Sequence, residues 1–215
     1  VYKDLVDIDL LKKIAENAEN STDKAYDTLR SLCNAAIEDK TGTYKRLVDI
    51  DLLKKITENA GSDTNTAYEA LYSLCDAVKA GSISSVTIDE VQTLFITIAE
   101  KTGEQSRADA YKALNSLCDA VKAGSIKGLT INEVQTLFIT IAEKAGTSRA
   151  IAYNILGKLC QDVGKIGIIL NSEFGKSNVL ASFCVFSANP AECVDKDGKF
   201  LPETWQAYWS SPYTD

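Results

Sequence analysis

The dipeptide Ala-Tyr recurs four times at nearly constant spacing, and this recurrence constrains the fold more than any other feature of the chain. Successive tyrosines are separated by 42, 43 and 42 residues, and a cysteine follows each tyrosine after seven positions. Regular recurrence of this kind indicates duplication of a whole structural unit. The repeated residues are Tyr26, Tyr68, Tyr111 and Tyr153, with Cys33, Cys75, Cys118 and Cys160.

Each unit predicts two amphipathic helices. The second segment, AYEALYSLCDAV in the second unit, places Tyr68, Leu71, Cys75 and Val78 on one helical face. The first segment reads DIDLLKKI in the first two units and resembles TIDEVQTLFITIAEK in the last two. We therefore interpret the repeated tyrosines as part of the core, because a tyrosine at the start of an amphipathic helix usually packs its ring on the neighbouring helix.

The helix starts are marked by capping residues. Thr87 and Thr130 are each followed three positions later by Glu, which predicts capping boxes, and Asp7 and Asp49 hold the equivalent positions in the first two units. The longer distance from cap to Ala-Tyr in units three and four predicts first helices about one turn longer there.

These patterns predict a mainly α fold of four tandem helix-pair repeats of about 42 residues, with about eight helices in a bundle or a short solenoid. The helical array spans residues 1–165, and its units are about 2–43, 44–84, 85–127 and 128–165.

A C-terminal segment, 166–215, differs from the array and holds all three prolines and both tryptophans. We expect it to be mixed and irregular, with GIIL and SFCVF as short strands or buried helical turns and a β-hairpin at Asp197-Gly198. Its aromatic side chains predict docking on the array or on a neighbouring subunit. The residues of this expected docking surface are Phe183, Phe186, Trp205, Tyr208 and Trp209.

Six cysteines, an even number without any Cys-x-x-Cys spacing, favour disulfides over a metal site or buried thiols. The simplest pairing joins Cys33 to Cys75, Cys118 to Cys160, and Cys184 to Cys193. The first two bonds require consecutive units to face each other about a pseudo-twofold axis. In a linear stack, equivalent positions are about 10 Å apart, whereas a disulfide joins Cα atoms about 5.5 Å apart.

No residue pattern indicates a catalytic, metal or cofactor site. The chain has no histidine, which removes the commonest metal ligand and the commonest general base. It also has no nucleophile elbow, P-loop or dinucleotide-binding glycine motif. Asp195 and Asp197 fit an Asp-Gly turn better than a calcium loop. We predict a protein that is not an enzyme and that carries no cofactor.

Charge and hydropathy exclude two classes of partner. A net charge of −7 with no cluster of basic residues argues against nucleic acid, and no apolar stretch is long enough to predict a membrane span. The paired cysteines and the absence of methionine predict a secreted, extracellular protein, in which Asn20 of the Asn-Ser-Thr triplet is a candidate glycosylation site.

The hypothesis that follows is a structural or self-assembly protein of an extracellular surface, filament or matrix, present as a homo-oligomer. The alternative is a secreted binding module for a small apolar ligand or a protein partner.

Overall fold

A computed structural model describes residues 5–84, 86–126, 129–161 and 176–188 of the chain. This part is mainly helical and contains no strand, which confirms the all-α class. None of the described helices combines the length and the apolar character needed to cross a membrane. The helices are α1 (Ile8–Asn17), α2 (Thr22–Glu38), α3 (Thr43–Leu47), α4 (Ile50–Ala60), α5 (Thr64–Lys79), α6 (Ile88–Thr102), α7 (Glu104–Lys122), α8 (Ile131–Lys144), α9 (Arg149–Gln161) and α10 (Lys176–Ala188).

The helix starts follow the capping residues in the sequence. The Asp7 and Asp49 carboxylates each accept a hydrogen bond of 2.7 Å from the backbone N–H three residues later. Thr87 and Thr130 form complete capping boxes with Glu90 and Glu133. These bonds satisfy amides that lack a partner within the helix, so each first helix begins where the sequence predicted.

The helices pack in two layers. In one layer α1, α4, α6 and α8 contact each other in succession, and in the other layer α2, α5, α7 and α9 do the same. We refer to α1/α2, α4/α5, α6/α7 and α8/α9 as the first to fourth helix pairs. Because neighbouring pairs lie side by side, they do not face each other about the pseudo-twofold axis that the predicted disulfides required.

Two helices were not predicted as such. The five-residue helix α3 follows Gly42, whose φ of 74° turns the chain after α2, and it packs against α5. Helix α10 contains the sequence SFCVF, so the strand alternative for that stretch is wrong. It packs against both α8 and α9 and covers the end of the fourth pair. The GIIL stretch and the Asp197-Gly198 hairpin lie outside the described residues.

A buried carboxylate fixes the turn between the first and second pairs. Asp39 accepts hydrogen bonds of 3.0 Å from the backbone N–H groups of Thr41 and Tyr44, and Lys79 of α5 lies 3.7 Å away. Burial alone raises the pKa of Asp39, but the hydrogen bonds from Thr41 and Tyr44 outweigh it and lower that pKa to about 2. The turn therefore depends on an ionised carboxylate.

Candidate functional site

The most distinctive surface is an apolar groove at the outer side of the first helix pair, which we call the end groove. It encloses about 480 Å³ and is lined by Val6, Leu11, Tyr26, Leu29, Arg30 and Cys33. Leu29 and Cys33 form its buried floor, whereas Leu11 is 37% exposed. Its residues come from α1, from the turn before it, and from α2, so the groove follows directly from the pairing of these two helices.

Two residues of the end groove, Leu11 and Tyr26, form a hydrogen bond that has an equivalent in each of the four pairs. In each pair the tyrosine hydroxyl of the second helix donates to a backbone carbonyl of the first helix, at 2.8 to 3.3 Å. The four tyrosine–carbonyl partners are Tyr26 with Leu11, Tyr68 with Leu53, Tyr111 with Phe95, and Tyr153 with Phe138. Leu53, Phe95 and Phe138 are at most 2% exposed, so Leu11 is the one member of this set that is open to solvent.

The helix α1 carries further apolar surface beside the groove. Ile8 is 73% exposed and Ala15 is exposed, whereas their equivalents in α4, Ile50 and Thr57, are half-buried and buried. The local sequence around Ile8 is the same as around Ile50, so the difference arises from neighbours: α1 and α2 cover the second pair, and no described residue covers the equivalent surface of the first.

Ion pairs link the first helix pair to α4 of the second pair. Lys54 of α4 contacts Asp7 and Asp9 of the first pair at 2.8 Å each, and Lys13 of α1 contacts Glu58 of α4. In α1 the residues equivalent to Lys54 and Glu58 are Lys12 and Glu16. Both are exposed, and neither has an ion-pair partner among the described residues.

Three of the four repeated tyrosines are core residues, as the sequence predicted. Tyr68, Tyr111 and Tyr153 are fully buried, and burial raises the pKa of each hydroxyl. The rings of Tyr111 and Tyr153 stack on Phe95 and Phe138 with centroids 5.7 and 5.5 Å apart. Tyr26 is the half-buried member of the set and lies in the end groove.

The predicted disulfides between pairs are not formed. Cys33, Cys75, Cys118, Cys160 and Cys184 are buried free thiols, and Cys193 lies outside the described residues. The physical reason is the side-by-side packing of α2, α5, α7 and α9, since packed helix axes lie 8–10 Å apart and a disulfide needs Cα atoms about 5.5 Å apart. Burial raises the pKa of each of these thiols, that of Cys160 to about 12. They are therefore small apolar core residues in their unreactive, protonated form.

The remaining predicted site residues are placed only in part. Asn20 is exposed in a 3₁₀ turn, Glu19–Ser21, between α1 and α2. Phe183 is half-buried on α10 and packs against the core. The side chain of Phe186 is not among those described, and Trp205, Tyr208, Trp209, Asp195 and Asp197 lie outside the described residues. The described part contains no group of three or more acidic or cysteine side chains placed to hold a metal ion.

A second groove crosses the layer of α2, α5 and α7. It encloses about 380 Å³ and is lined by hydroxyl, amide and carboxylate groups around one tyrosine ring. Its residues are Thr28, Ser31, Glu69, Tyr72, Ser73, Asn115 and Asp119. The polar lining and the net negative charge make it a poor site for an apolar ligand, so the end groove is the better candidate.

The end groove was not predicted from the sequence, although a signal for it exists. The segment LVDIDLLKKI occurs at 5–14 and again at 47–56, so both copies present the same surfaces, and only the second copy has another pair before it in the structure. A comparison with family models, curated proteins and solved structures found no match to this chain. The function is therefore inferred from the geometry of this surface.

Proposed function

We propose that this chain is a non-enzymatic structural protein that self-assembles, and that the end groove is one of its assembly surfaces. The observation that supports this most directly is the exposure of Leu11, whose equivalents Leu53, Phe95 and Phe138 are buried. The same kind of surface is buried between helix pairs elsewhere in this fold. Its composition and shape therefore suit contact with another protein surface.

The architecture that we propose for the array is a short solenoid of four stacked helix pairs. The order of contacts within each layer supports it, because every described first helix contacts the first helix of the next pair. Helix α10 covers one end of the stack, whereas no described residue covers the outer side of the first pair. In repeat proteins, terminal units need a polar outer face for solubility, and the lining of the end groove is mostly apolar.

The chemistry of the described side chains favours structure over catalysis. The repeated cysteines and tyrosines are the only nucleophilic groups common to all four units, and burial raises their pKa values where a shift is resolved. A catalytic nucleophile needs a lowered pKa or an adjacent base. Secretion to a surface, filament or matrix stays part of the proposal, but the free thiols remove disulfides as its support.

Sedimentation velocity of the full chain over a range of concentrations tests self-assembly. We expect the weight-average mass to rise with concentration and Leu11→Asp to reduce that rise, because the substitution places a charge in the apolar centre of the end groove. The matched control is Lys24→Glu, which changes an exposed charge on the opposite side of α2. A strictly monomeric wild-type chain at the highest attainable concentration overturns the proposal.

The volume of the end groove also suits a small apolar ligand, which is the alternative function. Native mass spectrometry of freshly isolated protein separates the two functions. A non-covalent adduct on a monomer, lost in the Leu11→Asp variant, favours ligand binding, whereas a dimer without an adduct favours assembly.

A further inference from the structure

We propose that two copies of this chain pair head to head, with the α1 helices antiparallel across a twofold axis, so that each copy covers the other's end groove. This inference rests on the proposed self-assembly and specifies its geometry. It commits to a second copy as the occupant of the groove. Three observations lead to it: the ion pairs between the first and second helix pairs, the exposed charges of α1, and the position of α10.

The ion pairs between the first and second helix pairs show which charges complement the surface of a first helix. On α4, Lys54 binds Asp7 and Asp9, and Glu58 binds Lys13. Where this surface is covered, its lysine and its glutamate are therefore each paired with an opposite charge. On α1 the equivalent groups, Lys12 and Glu16, lack such partners among the described residues. An occupant of the end groove should therefore present an acidic group to Lys12 and a basic group to Glu16.

A second α1 helix meets this requirement by itself. Lys12 and Glu16 are one helical turn apart, so in an antiparallel pair Lys12 of one copy lies opposite Glu16 of the other, and the reverse. The twofold axis generates two equivalent ion pairs at the edge of the contact. The apolar residues Leu11 and Tyr26 of each copy then lie beside these ion pairs, where their exposed surface is removed from water. Ile8 lies about 9 Å along the helix from the axis.

Among the described residues, the other end of the stack does not offer a comparable surface. Within the stack, one side of α1 and α2 covers α4 and α5. A head-to-tail contact between copies that repeats this interface needs the equivalent side of α8 and α9 in the fourth pair. Helix α10 packs against both α8 and α9 and occupies that surface. The described residues therefore do not allow the internal interface to be repeated between copies, which favours the self-complementary, head-to-head contact.

A charge-swap series on the full chain tests the pairing. Sedimentation equilibrium at low ionic strength gives the dimer dissociation constant of the wild type, Lys12→Glu, Glu16→Lys and the double variant. Each single variant places like charges opposite each other twice, and we expect its dissociation constant to rise by about tenfold. The double variant restores opposite charges in both pairs, and we expect its constant to return to within about threefold of the wild type. Circular dichroism and thermal unfolding show whether each variant keeps its helices, and Lys24→Glu is again the control.

Cross-linking supplies a second, independent readout. Ala15 is exposed on the apolar side of α1, beside the expected twofold axis. In a Cys193→Ser background, a short bismaleimide should join two copies of the Ala15→Cys variant. Lys24→Cys and the unchanged chain in the same background should give only background cross-linking, since the described cysteines are buried.

The outcomes distinguish this inference from the proposed function. Restoration by the double variant together with the Ala15→Cys cross-link supports head-to-head pairing. Assembly that the double variant does not restore, without the cross-link, overturns the head-to-head geometry and leaves self-assembly standing. A monomeric wild type overturns both.

Discussion

Replacing Glu19 by glycine should stabilise the protein. Glu19 follows α1 and has φ of 43°, and it is the only described residue other than glycine with a positive φ. The residues that follow the first helices of the other three pairs are glycines with φ of 56°, 71° and 53°: Gly61, Gly103 and Gly146. The fold thus needs a left-handed residue at this position, and the first pair supplies it with a side chain for which that conformation is strained.

The expected gain in the free energy of unfolding is the backbone strain that is relieved in the folded state minus the extra conformational entropy that glycine loses on folding. A residue with a Cβ atom costs about 1–2 kcal/mol in the left-handed region. Glycine has more freedom in the unfolded chain, which costs about 0.5–1 kcal/mol on folding. The side chain of Glu19 is exposed, and the hydrogen bond of Thr22 to Glu19 involves the backbone carbonyl, which glycine keeps. We therefore expect Glu19→Gly to raise the free energy of unfolding by about 0.5–1 kcal/mol.

The reverse change supplies the matching test. Gly61 combines φ of 56° with ψ of −128°, and a Cβ atom there would lie 3.7 Å from Arg107, an ordinary contact. Any loss of stability in Gly61→Ala is thus conformational rather than steric, and we expect it to exceed about 1 kcal/mol.

Urea unfolding followed by circular dichroism measures both effects. Lys112→Gly, at an exposed position in the interior of α7, is the control for glycine itself and should lower the free energy of unfolding by about 1 kcal/mol. The expectation is refuted if Glu19→Gly destabilises the protein as Lys112→Gly does, or if Gly61→Ala has no effect.

Four further predictions concern the core, the caps, the turn and the thiols. Tyr68→Phe removes a buried hydroxyl bonded to Thr57 and Leu53, and we expect it to lower the free energy of unfolding in urea by about 1–2 kcal/mol. Tyr26→Phe removes a half-buried hydroxyl and should lower it by less than about 0.5 kcal/mol. Equal losses in the two variants would contradict the structural difference. Thr130→Ala removes a capping box and should cost about 1 kcal/mol, with the exposed Thr136→Ala as a control that should cost less. The pKa of Asp39 is lowered from its usual 3.8 to about 2, so the ionised carboxylate stabilises the fold above pH 3.8, and this stabilisation is lost between pH 3.8 and about 2. The Asp39→Asn variant should therefore be less stable at neutral pH and should lack this part of the pH dependence. Parallel profiles of stability against pH for the two proteins would contradict the prediction. Iodoacetamide followed by peptide mass spectrometry should label Cys75, Cys118 and Cys160 in denaturant but not in the native protein, and recovery of these residues as disulfides would contradict the structure.

The parts of the fold that depend on local chemistry were predictable from the sequence. The caps at Asp7, Asp49, Thr87 and Thr130 involve residues within one helical turn, and the structure forms all four. The apolar stripe of α5 required only the period of a helix, and Tyr68, Leu71 and Cys75 are buried together. Local bonds and helical periodicity leave few alternatives, which is why these predictions hold.

One error concerns contacts between residues far apart in sequence, and two concern helices whose local sequence has no clear periodic pattern. The cysteine pairing assumed that neighbouring pairs face each other, and the sequence contains no direct signal for the angle at which one pair packs on the next. Helix α3 has only five residues, too few to show a periodic pattern. Helix α10 is apolar on most sides, so its sequence does not separate a buried helix from a strand.

The end groove shows a different limit, because there the same sequence has two environments. The segment LVDIDLLKKI is identical at 5–14 and 47–56, so its helix propensity, its cap and its apolar pattern are identical too. Leu11 is nevertheless 37% exposed and Leu53 is fully buried. The difference resides entirely in the neighbours, since α1 and α2 cover the second copy and no described residue covers the first. In an array of near-identical units, the described surface at which function is best sought is therefore the one whose equivalents in the other units are buried, because a surface of this kind is suited to a protein contact.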